Sequence, residues 1–546
     1  MAKWLPESQR VAARCNELSE IASVPEEEAW QYIAELRDSL NDKSEEVRCV
    51  ALDTIGQLGS VAADLVPEVR SFLKHPKREI RRSALDALGL LMQGDPFAAD
   101  CAADVACSLR DEKIGFVRAS AALALGRLRA PGFAAGLRTG LQDADANVVA
   151  SALAAAGLVG SDAQELVPDI ARCLSHPARG VRAVAVGTLL KVGGEGEEQA
   201  GRVAALLADE DGTAREAAVT YFEFIGDRAA SESGRIAEVL KRDDGRFQAA
   251  AMLALGFAKA GKFAPEVAKR LNSKVEDSAS EAQSAVGADK QLPATMRRPA
   301  CAAAMALALM GEEGWTHVDK VVDIIEDEKQ PDEVRASCLH SLGLMGSEGV
   351  GYDSVVIKLL RHAAPAIRAS GCFALGEFAL LDEDYDRADA VAECLNDPVA
   401  AVREAAADAL GKMPEEGPRR AEAVFNLLTD RVANVQVAAI RAMSAFGETG
   451  QMFATEVCRL VDCDDIDVRL KAIEVVGDMG DRGAALAEEL APFLTDPSPF
   501  IREEVLKALS KMGEEAAPFL SDVTLLMEDP VDAVREAAVQ CHDALA

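Results

Sequence analysis

Three of the six histidines, His75, His176 and His362, each stand six residues before an arginine. Imidazoles at regular intervals could ligate a metal or shuttle protons. Their common spacing instead assigns them to a repeated structural position. Asp382, Asp384, Asp386 and Glu393 occupy positions one, three, five and twelve of a calcium-loop template, but the sixth, where the sharp turn needs glycine, is Arg387. The run Asp462-Cys463-Asp464-Asp465-Ile466-Asp467 lacks that glycine as well, and both segments read as acidic turns. Gly194-x-Gly196 follows a helical pattern rather than a strand and has no third glycine in register, so it reads as a turn and not a dinucleotide loop. The twelve cysteines include no C-x-x-C, and the spacings Cys101/Cys107 and Cys458/Cys463 match no common zinc pattern. They are expected to be reduced, mostly buried thiols of a cytoplasmic compartment, with nuclear residence left open. No catalytic, cofactor-binding or metal-ligating residue is assigned.

The elements that would position any such chemistry are helices. Apolar residues make up 49% of the 546 residues and aromatics only 4%, so the core is expected to consist of Ala, Leu and Val. Ala and Leu are strong helix formers and suit close helix packing. No stretch approaches the ~20 uninterrupted apolar residues of a membrane span, and the start MAKWLPESQR has no apolar signal region. A formal charge of −33 opposes generic binding to nucleic-acid phosphates and favours partners with basic segments. The densest basic stretch, Lys74 to Arg82, reads as a solvated turn.

Internal periodicity organises the whole chain. A Val-Arg pattern recurs with its second residue at 48, 81, 118, 149, 182, 215, 248, 300, 335, 368, 403, 436, 469, 502 and 535, and nine of the fourteen spacings are 33 residues. Arg fills eleven of these fifteen slots; Val149, Gln248, Ala300 and Gln436 depart from it. Val or Ile precedes the slot in twelve repeats, and Ala follows three residues after it in twelve. With Leu-like residues at +4 and +7 these form one face of a helix. Ala at +3 points to a neighbour too close for a larger side chain. Gly at +8 (Gly56, Gly89, Gly126, Gly376, Gly411, Gly477) is predicted to end that helix in a left-handed conformation.

Six residues before the slot stands Asp in seven repeats, including Asp42, Asp209, Asp397, Asp496 and Asp529, three times followed by Pro. Asp is predicted to cap the N-terminus of this second, or B, helix. The slot arginines Arg48, Arg215, Arg403, Arg502 and Arg535 would pair with the Asp of their own or the adjacent repeat in a polar ladder. An upstream amphipathic A helix, as in Gln164–Leu174 or Arg419–Leu428, completes each pair.

The pattern D-P-x-x-x-V-R-x-x-A-(L/V)-x-x-L-G resembles the short HEAT repeats also found in phycobilisome-lyase-type proteins, over roughly residues 26 to 545. The resemblance implies an all-α, right-handed α-α superhelix of about fifteen helix pairs, HEAT/armadillo-like, whose B helices line the inner surface. It implies a non-enzymatic scaffold or adaptor presenting an extended, acidic, curved surface to protein partners, with no cofactor. Two alternatives stand beside it: a tetrapyrrole (bilin) lyase-like protein, for which only the repeat framework matches, and a karyopherin-like transport receptor, whose repeats run longer and less uniform. HEAT-type enzymes of the deoxyhypusine hydroxylase kind hold iron through His-Glu pairs, and this sequence has no His-Glu dipeptide.

Residues 1–25, with Trp4, are expected to cap the first pair, and 26–546 to form one continuous solenoid. A Ser-, Ala- and charge-rich insertion at 273–294 offers Ser278, Ser280 and Ser284 as candidate partner contacts. Glu404, Glu503 and Glu536, each directly after the slot arginine, are expected to align into an acidic ridge.

Overall fold

The computed structural model describes residues 7–24, 29–93, 98–129, 132–193, 198–272, 298–382 and 385–546. The fold is all-α: 81% is helical, with no strand among the described residues. Two compact units divide it, one up to Ala254 and one from Leu255 onward, with only residues outside the described set assigned otherwise.

In the first unit the B helices include Glu45–Gln57, Arg78–Leu91, Gly115–Leu128, Ala146–Val159, Arg179–Val192 and Gly212–Ile225. In the second they include Pro299–Leu309, Asp332–Gly343, Pro365–Ala379, Ala400–Gly411, Ala433–Ala445, Ile466–Asp478, Pro499–Met512 and Asp532–Leu545. All but the last bury the stripe at −1, +3, +4 and +7, as at Val402, Ala406, Ala407 and Leu410, which are fully buried; in Asp532–Leu545 Val539 is exposed. A leucine so buried contributes about 1.5–3 kcal/mol. The A segments differ from the continuous helices expected. Gln164–Leu174, for example, is a 3-10 stretch Gly160–Leu166 followed by a short α-helix Val167–Cys173. Arg419–Leu428 is likewise a single α turn, Ala421–Phe425, between two 3-10 pieces. Proline at the start of several A segments removes a backbone donor there, which favours short pieces over one long ladder. The helical run Ala146–Cys173 is long and apolar enough to cross a membrane by composition. A positive φ at Gly160 breaks it, and Val148, Leu153, Leu166 and Ile170 are fully buried in the core.

Glycine at +8 is the last residue of some B helices, as at Gly411, but in none does it take the left-handed conformation. Gly56, Gly89 and Gly126 lie inside their helices, where the next B helix leaves no room for a side chain. A Cβ on Gly126 would stand 2.7 Å from the Cα of Ala155, and one on Gly376 2.8 Å from that of Ala409. The partner is each time the alanine at +6 of the following repeat. The left-handed position is three residues further on. Among the described residues, nine of the ten glycines with positive φ stand at +11, from Gly59 to Gly513, and the two non-glycine residues with positive φ, Arg129 and Lys259, stand there too. Alanine at +3 faces its own A segment: a Cβ on Gly140 would lie 2.9 Å from that of Ala152.

At the N-terminus the helix Glu7–Ile21 buries Leu18 and Ile21, and the Thr54 hydroxyl of the first B helix donates to the Leu18 carbonyl at 3.1 Å. Trp4 lies outside the described residues, and Trp30 is largely exposed.

Two substitutions test this packing. Gly126→Ala should destabilise by about 1–3 kcal/mol through overpacking. Arg129→Gly should stabilise by about 1 kcal/mol by relieving its left-handed backbone. Urea unfolding of both variants against the parent checks the opposite signs.

Candidate partner-binding face

The slot arginine and the aspartate six residues before it meet, but across repeats. Arg403 donates from Nε and Nη2 to both carboxylate oxygens of Asp430, in the following repeat, at 2.7 and 2.8 Å. Its Nη1 donates at 2.8 Å to the backbone carbonyl of Asp397, in its own repeat. The same fork joins Arg118 to Asp143, Arg182 to Asp209, Arg368 to Asp397 and Arg502 to Asp529. Arg81 reaches Glu112, and Arg469 reaches Asp496. Within one repeat the contact is through the carbonyl: Arg48 to Asp42, Arg215 to Asp209, Arg502 to Asp496 and Arg535 to Asp529, at 2.6–2.9 Å.

The aspartate is not the N-cap of the B helix. The helix after Asp397 starts at Ala400 with Val399 as its N-cap. Asp397 instead accepts the Val399 backbone N–H at 2.9 Å, closing an Asx turn that aims the chain into the helix. The three slot histidines imitate this. Nδ1 of His75, His176 and His362 accepts the N–H two residues on, each at 3.1 Å, which places the imidazole proton on Nε2 at His75 and His176, while Nε2 of His362 lies 3.3 Å from Arg335 Nη1. A histidine supplies no carboxylate to the preceding repeat. Arg48, before His75, keeps a buried Nε with no partner among the described residues. Arg335, before His362, turns to the Ile325 carbonyl at 2.8 Å.

Hydrogen bonds from the guanidinium hold Asp143 and Asp430 below the ordinary carboxylate range. At Asp397, Asp496 and Asp529 burial pushes the other way, and the arginine and backbone hydrogen bonds outweigh it.

Behind these rungs, nine of the fifteen repeats carry a polar residue at +5, while Leu123, Ala154, Gly187, Leu253, Met305 and Phe373 occupy it in the others. Burial raises the pKa of three aspartates, Asp53, Asp86 and Asp408, and all three occupy this position. In the second unit the +5 line continues with His340, Phe373 and Arg441. His340 stacks on Phe373 with ring centroids 3.8 Å apart, and burial lowers its pKa. Lys412 approaches the Phe373 ring at 4.9 Å while paired with Glu377. Arg441 pairs with Asp408 at 2.9 Å. Between these pairs lies an open groove of about 610 Å³.

Glu404 lines that groove. Glu503 is paired with Lys507 at 2.7 Å, and Glu536 is exposed. The equivalent residues of the intervening repeats are Val437 and Leu470, so Glu404 and the later two do not make one unbroken ridge. Ser278, Ser280 and Ser284 lie outside the described residues, as does Asp384 of the calcium-loop template. Asp382 instead offers its carbonyl to Arg387. Among the described residues no group of three or more His, Cys, Asp or Glu comes together to hold a metal. The +5 line escaped the sequence reading because its residue types vary; setting the fifteen slots in register and reading down that column would have exposed it.

The family described as HEAT repeats matches residues 33–126, 354–444 and 457–541. Comparison with curated proteins gives no match. Among solved structures, Kap95 in a complex with Nup1 superposes with a TM-score of 0.67 at 12% identity, covering 99% of this chain and 82% of that one. A Kap95p structure concerned with the switch loops of RanGDP gives 0.59 at 12%, over 99% and 81%. Yeast importin-beta, also Kap95p, gives 0.56 at 13%, over 98% and 75%. At these identities the likeness is one of fold.

Arg403→Ala should cost about 1–3 kcal/mol by stranding a half-buried Asp430; an unchanged melting curve would remove the rung's structural role. A lowered folded-state pKa adds stability above the ordinary aspartate range near ~3.9, and that stability is lost as pH falls through the folded value. Acid titration should therefore unfold the parent steeply below about pH 4 and the Arg403→Ala variant more gradually. For Asp53 the sign reverses: its raised pKa means stability is lost as pH rises. Asp53→Asn should melt at or above the parent at neutral pH and show no gain in acid.

Proposed function

This chain is a HEAT-repeat protein, and on that premise we propose that it is a protein-binding scaffold whose B-helix face receives partners carrying basic segments. One observation carries the reading: Asp53, Asp86 and Asp408 are half-buried carboxylates with raised pKa, all at the same repeat position. Burying a carboxylate disfavours folding, and groups kept against such a cost concentrate where a protein binds or reacts. The formal charge of −33 adds a long-range pull on cationic partners. All twelve cysteines are free thiols, which fits a reducing, cytoplasmic or nuclear, setting.

A transport receptor is the second reading, favoured by the fold shared with Kap95 along nearly the whole chain. The solved relatives are described with Nup1 and with RanGDP; a comparable role here requires release of partners by a small GTPase.

The test is affinity capture on the immobilised full chain, eluted stepwise with salt and then with a GTP-loaded small GTPase. A discrete set of proteins released by salt supports the scaffold, and release by the GTPase favours transport. Retention of nothing specific overturns both. A second bait lacking residues 273–294 measures what the insertion with Ser278, Ser280 and Ser284 contributes.

A further inference from the structure

The groove of the second unit contains one charge without a counterpart. Asp408 is neutralised by Arg441 and Lys412 by Glu377. Glu404, half-buried on the same helix one turn before Asp408, has no hydrogen bond or ion pair among the described residues. It stands over a floor of methyl groups from Ala401, Ala405 and Ala409, beside the Phe373 ring.

We propose that this groove receives a lysine or arginine side chain from a partner polypeptide, its aliphatic stem on the alanine floor and its cationic head on Glu404. The proposal rests on the scaffold reading and assigns that reading a place and a chemistry. Charge complementarity selects the occupant. An acidic segment would meet Glu404 and Asp408 with no free cation, because both basic residues of the groove are already paired. A small hydrated cation would gain nothing from the methyl floor. A long basic side chain uses both surfaces, since its stem is apolar and its head charged. A half-buried carboxylate makes a stronger ionic hydrogen bond than one in open water. The groove, at about 610 Å³, exceeds a single side chain, so flanking backbone also enters. The small residues matter as much as the charge: a larger side chain at position 405 would fill the space where the stem lies.

The experiment titrates full-length protein into a fluorescein-labelled peptide, Gly-Ala-Lys-Arg-Ala-Gly, followed by anisotropy at low and physiological salt. Its counterpart with Glu and Asp in place of Lys and Arg serves as control. Glu404→Gln should weaken binding about fivefold or more, and Ala405→Leu should weaken it comparably with an unchanged circular-dichroism melt. Glu503→Gln, which removes a carboxylate already paired with Lys507, should change it less than about twofold. Equal weakening by Glu404→Gln and Glu503→Gln would show diffuse charge attraction and overturn the site, as would no binding of the basic peptide by the parent. Partners captured equally by parent and Glu404→Gln would remove this site while leaving the scaffold intact.

Discussion

Consecutive B helices approach until the glycine at +8 of one lies against the alanine at +6 of the next, and this contact sets the geometry on which everything else rests. A Cβ at Gly56, Gly89, Gly126, Gly343, Gly376 or Gly477 would fall within 2.7–2.9 Å of the facing alanine Cα, closer than real side chains stand. Backbones so near allow an arginine on one helix to reach the turn before the next. The Arg403–Asp430 fork thus follows from the helix spacing and in turn fixes how one pair is rotated on its neighbour. At +5, Asp53, Asp86 and Asp408 stand half-buried at one and the same position of their helices.

The two polar lines solve different problems. At the rung, Asp209, Asp397, Asp496 and Asp529 each serve three groups: the carboxylate takes the previous repeat's arginine and its own turn N–H, and the carbonyl takes its own arginine. Such full satisfaction lets a charge be half-buried at little cost. At +5 burial outweighs the partners that Asp53, Asp86 and Asp408 have, and their pKa values are raised. A repeat that could have carried alanine there, as Ala154 does, carries an acid.

Much of this was legible in the sequence. The 33-residue period, the buried stripe of Val402, Ala406, Ala407 and Leu410, and the meeting of Arg with Asp all follow from residue spacing. Glycine at +8 was expected to take a left-handed conformation, because a sequence shows only that glycine recurs. At +8 it recurs for lack of space, and at +11 for backbone freedom. Arg129 and Lys259 hid the second position by adopting positive φ without being glycine. Asp397 was read as a helix cap because Asp-Pro normally marks one; Pro398 and Val399 intervene before the helix, and the same oxygen closes a turn instead. The groove could not be foreseen, because it is an absence of volume between helices 35 and 33 residues apart, lined by alanines that look like ordinary helix filler.

The rungs are not everywhere. Val149 offers nothing to His176, and after Gln436 the next repeat has Cys463 where others have a carboxylate. Each unit therefore contains a seam that lacks the forked ion pair, next to seams that are clasped by one. The seam after Val149 keeps the Thr188–Leu153 hydrogen bond and the Arg138–Asp169 ion pair. Apolar contact is short-ranged and yields gradually to shear, whereas a forked ion pair resists until it snaps. Pulled from its ends, each unit would begin to open at a seam without the fork, so that stiffness varies along the unit at places set by single residues.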